Sequence, residues 1–199
     1  MKKRIEMCLS GSGGQGLILA GIILAEAAGI YDGKETVQTQ SYGPEARGGA
    51  SRSEVVISND IIDYPKVIKS DILLALTQSA CDKYVKNLNK DGILLADSTL
   101  VTEFPTISNQ IYLFPITETA QKKFGTKLVT NIISLGIIVG LTGVVSQEAI
   151  QKAVSSKVPV KAKEINEKAL LLGFDIAKEL KQRNREVSNK EIIICEKGD

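Results

Sequence analysis

At 199 residues and 43% hydrophobic, the chain is long enough to bury one sizeable core. Its 25 Lys and Arg against 23 Asp and Glu give a formal net charge of +2 with no long block of one sign, which argues against bulk binding to nucleic acid. There is no histidine, so imidazole acid–base chemistry, Ser–His and Cys–His triads and imidazole metal sites are excluded within the chain.

The run Arg4-Ile5-Glu6-Met7-Cys8-Leu9 predicts a first strand. It leads through Gly11-Ser12-Gly13-Gly14-Gln15-Gly16 into a predicted helix from Gln15 to Gly29, whose apolar residues cover nearly the whole circumference and mark it as largely buried. Met1 to Arg4 is basic, but glycines interrupt the region where a signal peptide needs a continuous apolar core, so a cytoplasmic protein is expected. Thr36 to Gln40 alternates like a strand and Ser51 to Ile57 like another, and the two are expected to pair across the loop between them.

Asp71 to Leu76 and Gly92 to Asp97 are short continuous apolar runs separated by a helical stretch from Ser79 to about Leu88, the pattern of a βαβ unit with strands buried on both faces. A strand over Gln110 to Pro115 and a helix over Thr117 to Phe124, with Thr117 as N-cap, follow. Val129 to Leu141 and Ser146 to Val154 are then expected as helices, with Ser146 capping the second. In the long helical segment near Ala162 to Arg185, Ile165, Ala169, Leu172, Ile176 and Leu180 mark one buried face. Glu191 to Cys195 reads as a late strand or a partner-binding tail. Leu128 to Val145 carries too many polar residues for a membrane span and predicts a buried helix instead. The alternation of strands and helices makes the architecture α/β, with a single domain over residues 1–186, a helical C-terminal third and a tail over 187–199.

Two loops carry the candidate chemistry. Gly11, Gly13 and Gly16 satisfy G-x-G-x-x-G after a strand, where bare backbone N–H groups can meet an anion at a helix start. The dinucleotide pattern also needs an acid at the end of the second strand, and that strand ends in Gln38-Thr39-Gln40. A stand-alone Rossmann-like nucleotide-binding module is therefore the alternative, beside a turn needed only for packing and a turn facing an anionic ligand or partner subunit. The second loop, Gln40 to Gly49, is polar and broken by Gly and Pro; Arg47 precedes Gly48-Gly49, and a guanidinium beside flexible glycines suits phosphate or carboxylate capture. An intramolecular salt bridge to Glu45 or Glu54 is the competing role for Arg47 and Arg52. The three cysteines, Cys8, Cys81 and Cys195, lie far apart, with no spacing for an iron–sulfur cluster or structural zinc, and fit a reducing compartment.

The glycine turn, the Ala20-Gly21 and Leu24-Ala25-Glu26-Ala27-Ala28 that follow it, the loop Ser41 to Gly49 and the later Asn131-Ile-Ile-Ser-Leu-Gly136 together resemble the gamma subunit of 2-oxoacid:ferredoxin oxidoreductases, over roughly residues 4 to 180. The resemblance extends to Asn166 and Ala169, and is closest to the 2-oxoglutarate branch, with pyruvate and branched-chain 2-oxoacids as the other options. It implies a three-layer sheet with helices on both faces, like domain III of pyruvate:ferredoxin oxidoreductase. It also implies a multi-subunit enzyme that decarboxylates a 2-oxoacid, passes the acyl group to coenzyme A and reduces ferredoxin. Thiamine diphosphate, Mg and the iron–sulfur clusters would belong to alpha, beta and possibly delta subunits; this chain would hold no cofactor or metal alone, supply no catalytic residue, and bind neither nucleic acid nor membrane. Gly13, Gly14, Gln15, Gly16 and Arg47, with Tyr42, Gly48, Gly49 and Arg52 behind them, would lie nearest the coenzyme A or partner interface.

Overall fold

In the computed structural model, residues 4–40, 50–104 and 109–195 are described, with side chains to residue 184. Strand β1 (Arg4–Gly11) leads to helix α1 (Leu17–Glu26), which widens into a π turn over Ala27–Tyr31 before β2 (Glu35–Gln40) and β3 (Ser51–Ser58). Strand β4 (Ser70–Ala75), helix α2 (Gln78–Tyr84), strand β5 (Leu88–Asp97) and strand β6 (Gln110–Phe114) follow. The chain ends in helices α3 (Ile116–Phe124), α4 (Thr130–Thr142), α5 (Gln147–Lys157) and α6 (Lys163–Cys195).

The six strands form one sheet in the order β2-β3-β1-β4-β5-β6. Strands β1, β4, β5 and β6 run parallel, while β3 lies antiparallel to both β1 and β2, so β2 and β3 pair as expected from their alternation. Alternate residues of each strand face opposite layers. Met7, Leu9, Val55, Ile57 and Leu74 pack in one core with α1, α3, α4, α5 and α6, whereas Cys8, Leu73, Leu94 and Ala96 pack with Ala80, Cys81 and Tyr84 of α2. The sheet is thus covered on both faces, heavily on one and thinly on the other.

Helix α4 is apolar nearly throughout and buried from Thr130 to Val139. It crosses α6 where Gly136 faces Gly173: a Cβ on Gly136 would overlap the Leu170 carbonyl oxygen and reach Gly173 Cα at 2.9 Å. Two helices can meet backbone to backbone only where both lack a side chain. This crossing explains the helical C-terminal third within the chain itself. Leu170 and Phe174 of α6 are 0% and 4% exposed in the internal core, whereas Leu171 faces outward. No described helix is long and apolar enough to cross a membrane.

Ser146 does cap α5, accepting from the Ala149 N–H at 3.1 Å. Thr117, expected to cap α3, lies two residues too far in: Pro115 is the capping position, and the Thr117 N–H and hydroxyl both donate to the buried Asp97 carboxylate. That carboxylate, at the end of β5, also accepts from the Thr99 N–H at 3.0 Å, so a distant strand does the work of a local cap. Glu191 to Cys195 is helical, a continuation of α6 and not the late strand the apolar run suggested.

Candidate functional site

The glycine turn joins the C-terminal end of β1 to α1. Gly14 (φ 86°) and Gly16 (φ 71°) both sit in the left-handed region that glycine tolerates best. That conformation at Gly16 is why the helix begins at Leu17, later than the expected Gln15. The Gln15 side chain folds back so that its Oε1 accepts the Ser12 N–H at 2.7 Å, closing the turn on itself. Ser12, Gly13 and Gly14 are exposed at its tip, and α1 begins without a side-chain cap, leaving the positive end of its dipole open toward the turn.

Asn131, 3% exposed at the start of α4, donates through Nδ2 to the Gly16 carbonyl at 3.0 Å. Its Oδ1 accepts the Ile132 N–H at 2.9 Å, so the amide is satisfied at both ends and ties the turn to a helix 115 residues away. A polar residue at the head of an almost wholly apolar helix is the signal for this contact, although the sequence alone does not give its partner.

The strands that flank the second loop end at the same sheet end. Gly11 pairs with Ser51 and Gln40 with Ser53, so the flanks of residues 41–49 emerge beside the glycine turn. Tyr42, Arg47, Gly48 and Gly49 lie outside the described residues. Arg52 lies on the thinly covered face of the sheet, 3.2 Å from Glu54 Oε1 and 5.4 Å from the centroid of the Tyr84 ring. The Tyr84 hydroxyl donates to the Ala50 carbonyl at 3.2 Å, and Thr39 donates to Glu54 Oε2 at 3.3 Å. Arg52 therefore makes the intramolecular bridge to Glu54, one of the two roles its position allowed, within a cluster that anchors the returning end of the loop.

Topology weakens the dinucleotide alternative further. In that arrangement the second strand lies next to the first, its terminal acid close to the ribose. Here β3 is inserted between β1 and β2, placing β2 two strand spacings away, about 10 Å.

A redox centre would need a different set of donors. Burial, reinforced by the Glu54 charge and only partly offset by Arg52, pushes the Cys8 thiol up to about 12. Burial and Asp82 also raise Cys81, and the described residues contain no group of three His, Cys, Asp or Glu able to hold a metal. The described residues do not fit an iron–sulfur cluster. A cleft of about 660 Å³ lies at the opposite end of the sheet, lined by residues such as Ile5, Asp71, Asn89 and Leu141.

These features define an α/β domain with a parallel core, an antiparallel hairpin along one edge and a helix-supported glycine turn at the C-terminal sheet end. The sequence pattern of the family described as Pyruvate ferredoxin/flavodoxin oxidoreductase matches residues 6–176, and the chain belongs to that family. The 2-oxoglutarate synthase subunit KorC of Methanocaldococcus jannaschii is 50% identical over 182 residues, spanning 90% of this chain and 97% of that protein. The crystal structure of the keto/oxoacid ferredoxin oxidoreductase gamma subunit from Geobacter sulfurreducens superposes with a TM-score of 0.81 at 55% identity, over 88% of this chain and 99% of that one. The fold recurs in the 2-oxoglutarate:ferredoxin oxidoreductase of Magnetococcus marinus, solved with 2-oxoglutarate, coenzyme A and succinyl-CoA bound. There the TM-score is 0.78 at 22% identity, and the match covers 92% of this chain but 32% of that one.

Proposed function

We propose that the chain is the gamma subunit of a 2-oxoglutarate:ferredoxin oxidoreductase, which converts 2-oxoglutarate and coenzyme A to succinyl-CoA and carbon dioxide while reducing ferredoxin. The observation that carries this reading is the near end-to-end, 50% identity to a KorC subunit. Thiamine diphosphate with Mg supplies decarboxylation chemistry and iron–sulfur clusters supply one-electron transfer, and both belong to the alpha, beta or delta partners. The contribution of this chain is structural: it helps build the complex and shapes access for coenzyme A.

The glycine turn is the element suited to that role. Its exposed Gly13 and Gly14 bring bare backbone to the surface at a helix N-terminus, while Gln15 and Asn131 hold the turn in one conformation. Such a surface accepts either an anionic group of coenzyme A or a partner's main chain. Arg47, Gly48, Gly49 and Tyr42 are assigned to the same interface because the flanks of their segment emerge beside the turn. The complex is proposed to work in the cytoplasm, where coenzyme A and ferredoxin are available to it.

Purification through a tag on this chain, followed by assay of viologen or ferredoxin reduction, tests the reading. Activity dependent on both coenzyme A and 2-oxoglutarate is expected, exceeding that with pyruvate or 2-oxoisovalerate. Preference for another 2-oxoacid would overturn the substrate assignment, and a lone chain without associated oxidoreductase activity would overturn the function.

A further inference from the structure

The connection between β3 and β4, residues 59–69, has neither helix nor strand, yet two charged residues of β1 hold its backbone. Arg4 donates through Nε to Glu6 Oε1 at 2.8 Å and through Nη2 to the carbonyls of Tyr64 and Lys66 at 2.7 and 3.2 Å. Glu6, 9% exposed, accepts through Oε2 from the N–H groups of Ile68 and Lys69 at 2.7 and 3.3 Å. These are charge-assisted hydrogen bonds, which fix geometry more firmly than neutral ones.

Such anchoring ordinarily seats apolar side chains in a core. Here Ile61, Tyr64 and Ile68 are 81%, 49% and 68% exposed. Asp60 and Asp63 are balanced by Lys66 and Lys69, so the segment has no net charge with which to attract a charged partner. Val67 and Ile68 border a small recess with Cys8, Glu54 and Tyr84, which places this part of the loop on the thinly covered face of the sheet. A preordered loop costs little entropy when it docks.

We infer that this loop docks the subunit onto a separate, larger polypeptide of the same enzyme. The inference rests on the proposed function. Its occupant is indicated by the Magnetococcus marinus enzyme, where the same fold accounts for 32% of a longer chain. Contacts made there within one polypeptide have to be made here between polypeptides, and permanent interfaces of that kind are centred on apolar side chains.

The test uses the enzyme purified from its native host through a tag on this chain, with Ile61→Asp, Tyr64→Asp and Ile68→Asp compared with Ile30→Asp and Val160→Asp. The two controls replace residues that are 74% and 89% exposed elsewhere on the surface. Native mass spectrometry through a dilution series reads retention of the larger chain, identified by its peptides. The loop variants should hold it at least about tenfold more weakly, as interface anchors do when truncated, while the controls retain it. Their exposed positions predict unchanged melting temperatures; Ile61→Ser and Ile68→Ser carry the test should an aspartate variant lose its fold.

Retention by every loop variant, equal loss in the controls, or loss only of self-association between copies of this chain would overturn the docking surface. Absence of any larger chain from the unsubstituted preparation would overturn the proposed function and the docking surface together. An intact unsubstituted complex with intact loop variants would overturn the docking surface alone.

Discussion

Replacing Gly16 with alanine probes the turn where conformation and packing coincide. At φ 71° an L-residue is strained, and the new Cβ would lie 2.5 Å from Asn131 Nδ2, inside any permissible contact. The backbone strain costs about 1 kcal/mol and the overlap a further 1 to 3 kcal/mol, so Gly16→Ala should destabilise by roughly 2 to 4 kcal/mol. Asn131→Ala removes two hydrogen bonds, but the Gly16 carbonyl keeps the Ala20 N–H at 2.9 Å and the Ile132 N–H keeps the Val129 carbonyl at 3.1 Å, so it should cost about 1 to 2 kcal/mol. In the double variant the overlap disappears while the backbone strain stays, so its loss should fall short of the sum of the single losses by about 1 to 3 kcal/mol. Urea unfolding of the four proteins measures this cycle. A neutral Gly16→Ala, or strictly additive losses, would refute the coupling of turn and helix.

Gly136→Ala forces a methyl against the Leu170 carbonyl and Gly173 backbone; because backbone cannot rotate aside, a loss of about 3 kcal/mol is expected by denaturant titration, and a neutral effect would contradict the α4–α6 crossing. Burial alone would raise the Glu26 carboxyl, but hydrogen bonds from Lys157 and Ser156, with the Lys157 charge, outweigh it and hold the group below its ordinary value. The stabilisation is therefore present above the unfolded-state value of about 4.3 and lost as pH falls through the lower folded value. Glu26→Gln should cost no more than about 1 kcal/mol at pH 7 and nothing at the acid end, so a difference that persists undiminished in acid melts would count against the ion pair. In a Cys195→Ser protein, iodoacetamide at pH 7 should label neither Cys8 nor Cys81 before unfolding, since both are buried with raised thiols; mass-detected labelling of the native protein would contradict that burial.

The alternation of short apolar runs with helical periodicity is enough to place nearly every element, because buried strands and amphipathic helices carry their own local patterns. Strand order is not local. Residues 51–58 alternate in the same way whichever neighbour they meet, so nothing in them says that β3 slips between β1 and β2. Thr117 looked like a cap because hydroxyls favour that position; Asp97, 20 residues earlier, takes both its donors instead. Leu170 and Phe174 are apolar whether they meet a partner or α4, and only the glycine pair at the crossing decides the matter.

The site divides in the same way. The glycine turn is legible because its residues are consecutive and its geometry is set by φ. Its support from Asn131 is not, since 115 residues separate hydrogen-bonding partners that only the fold brings together. Sequence spacing around Arg52 allowed either a ligand or a salt bridge, and the bridge follows from register: Glu54, two residues along β3, faces the same side of the sheet.

The most direct measurement is subtraction of this chain from the assembled enzyme. Complex prepared with and without it should contain the same thiamine diphosphate and iron, whereas coenzyme A-dependent reduction of ferredoxin by 2-oxoglutarate should collapse without the chain and return when purified chain is added back. Loss of bound thiamine diphosphate or iron in proportion to the missing chain, or full activity in its absence, would contradict the account.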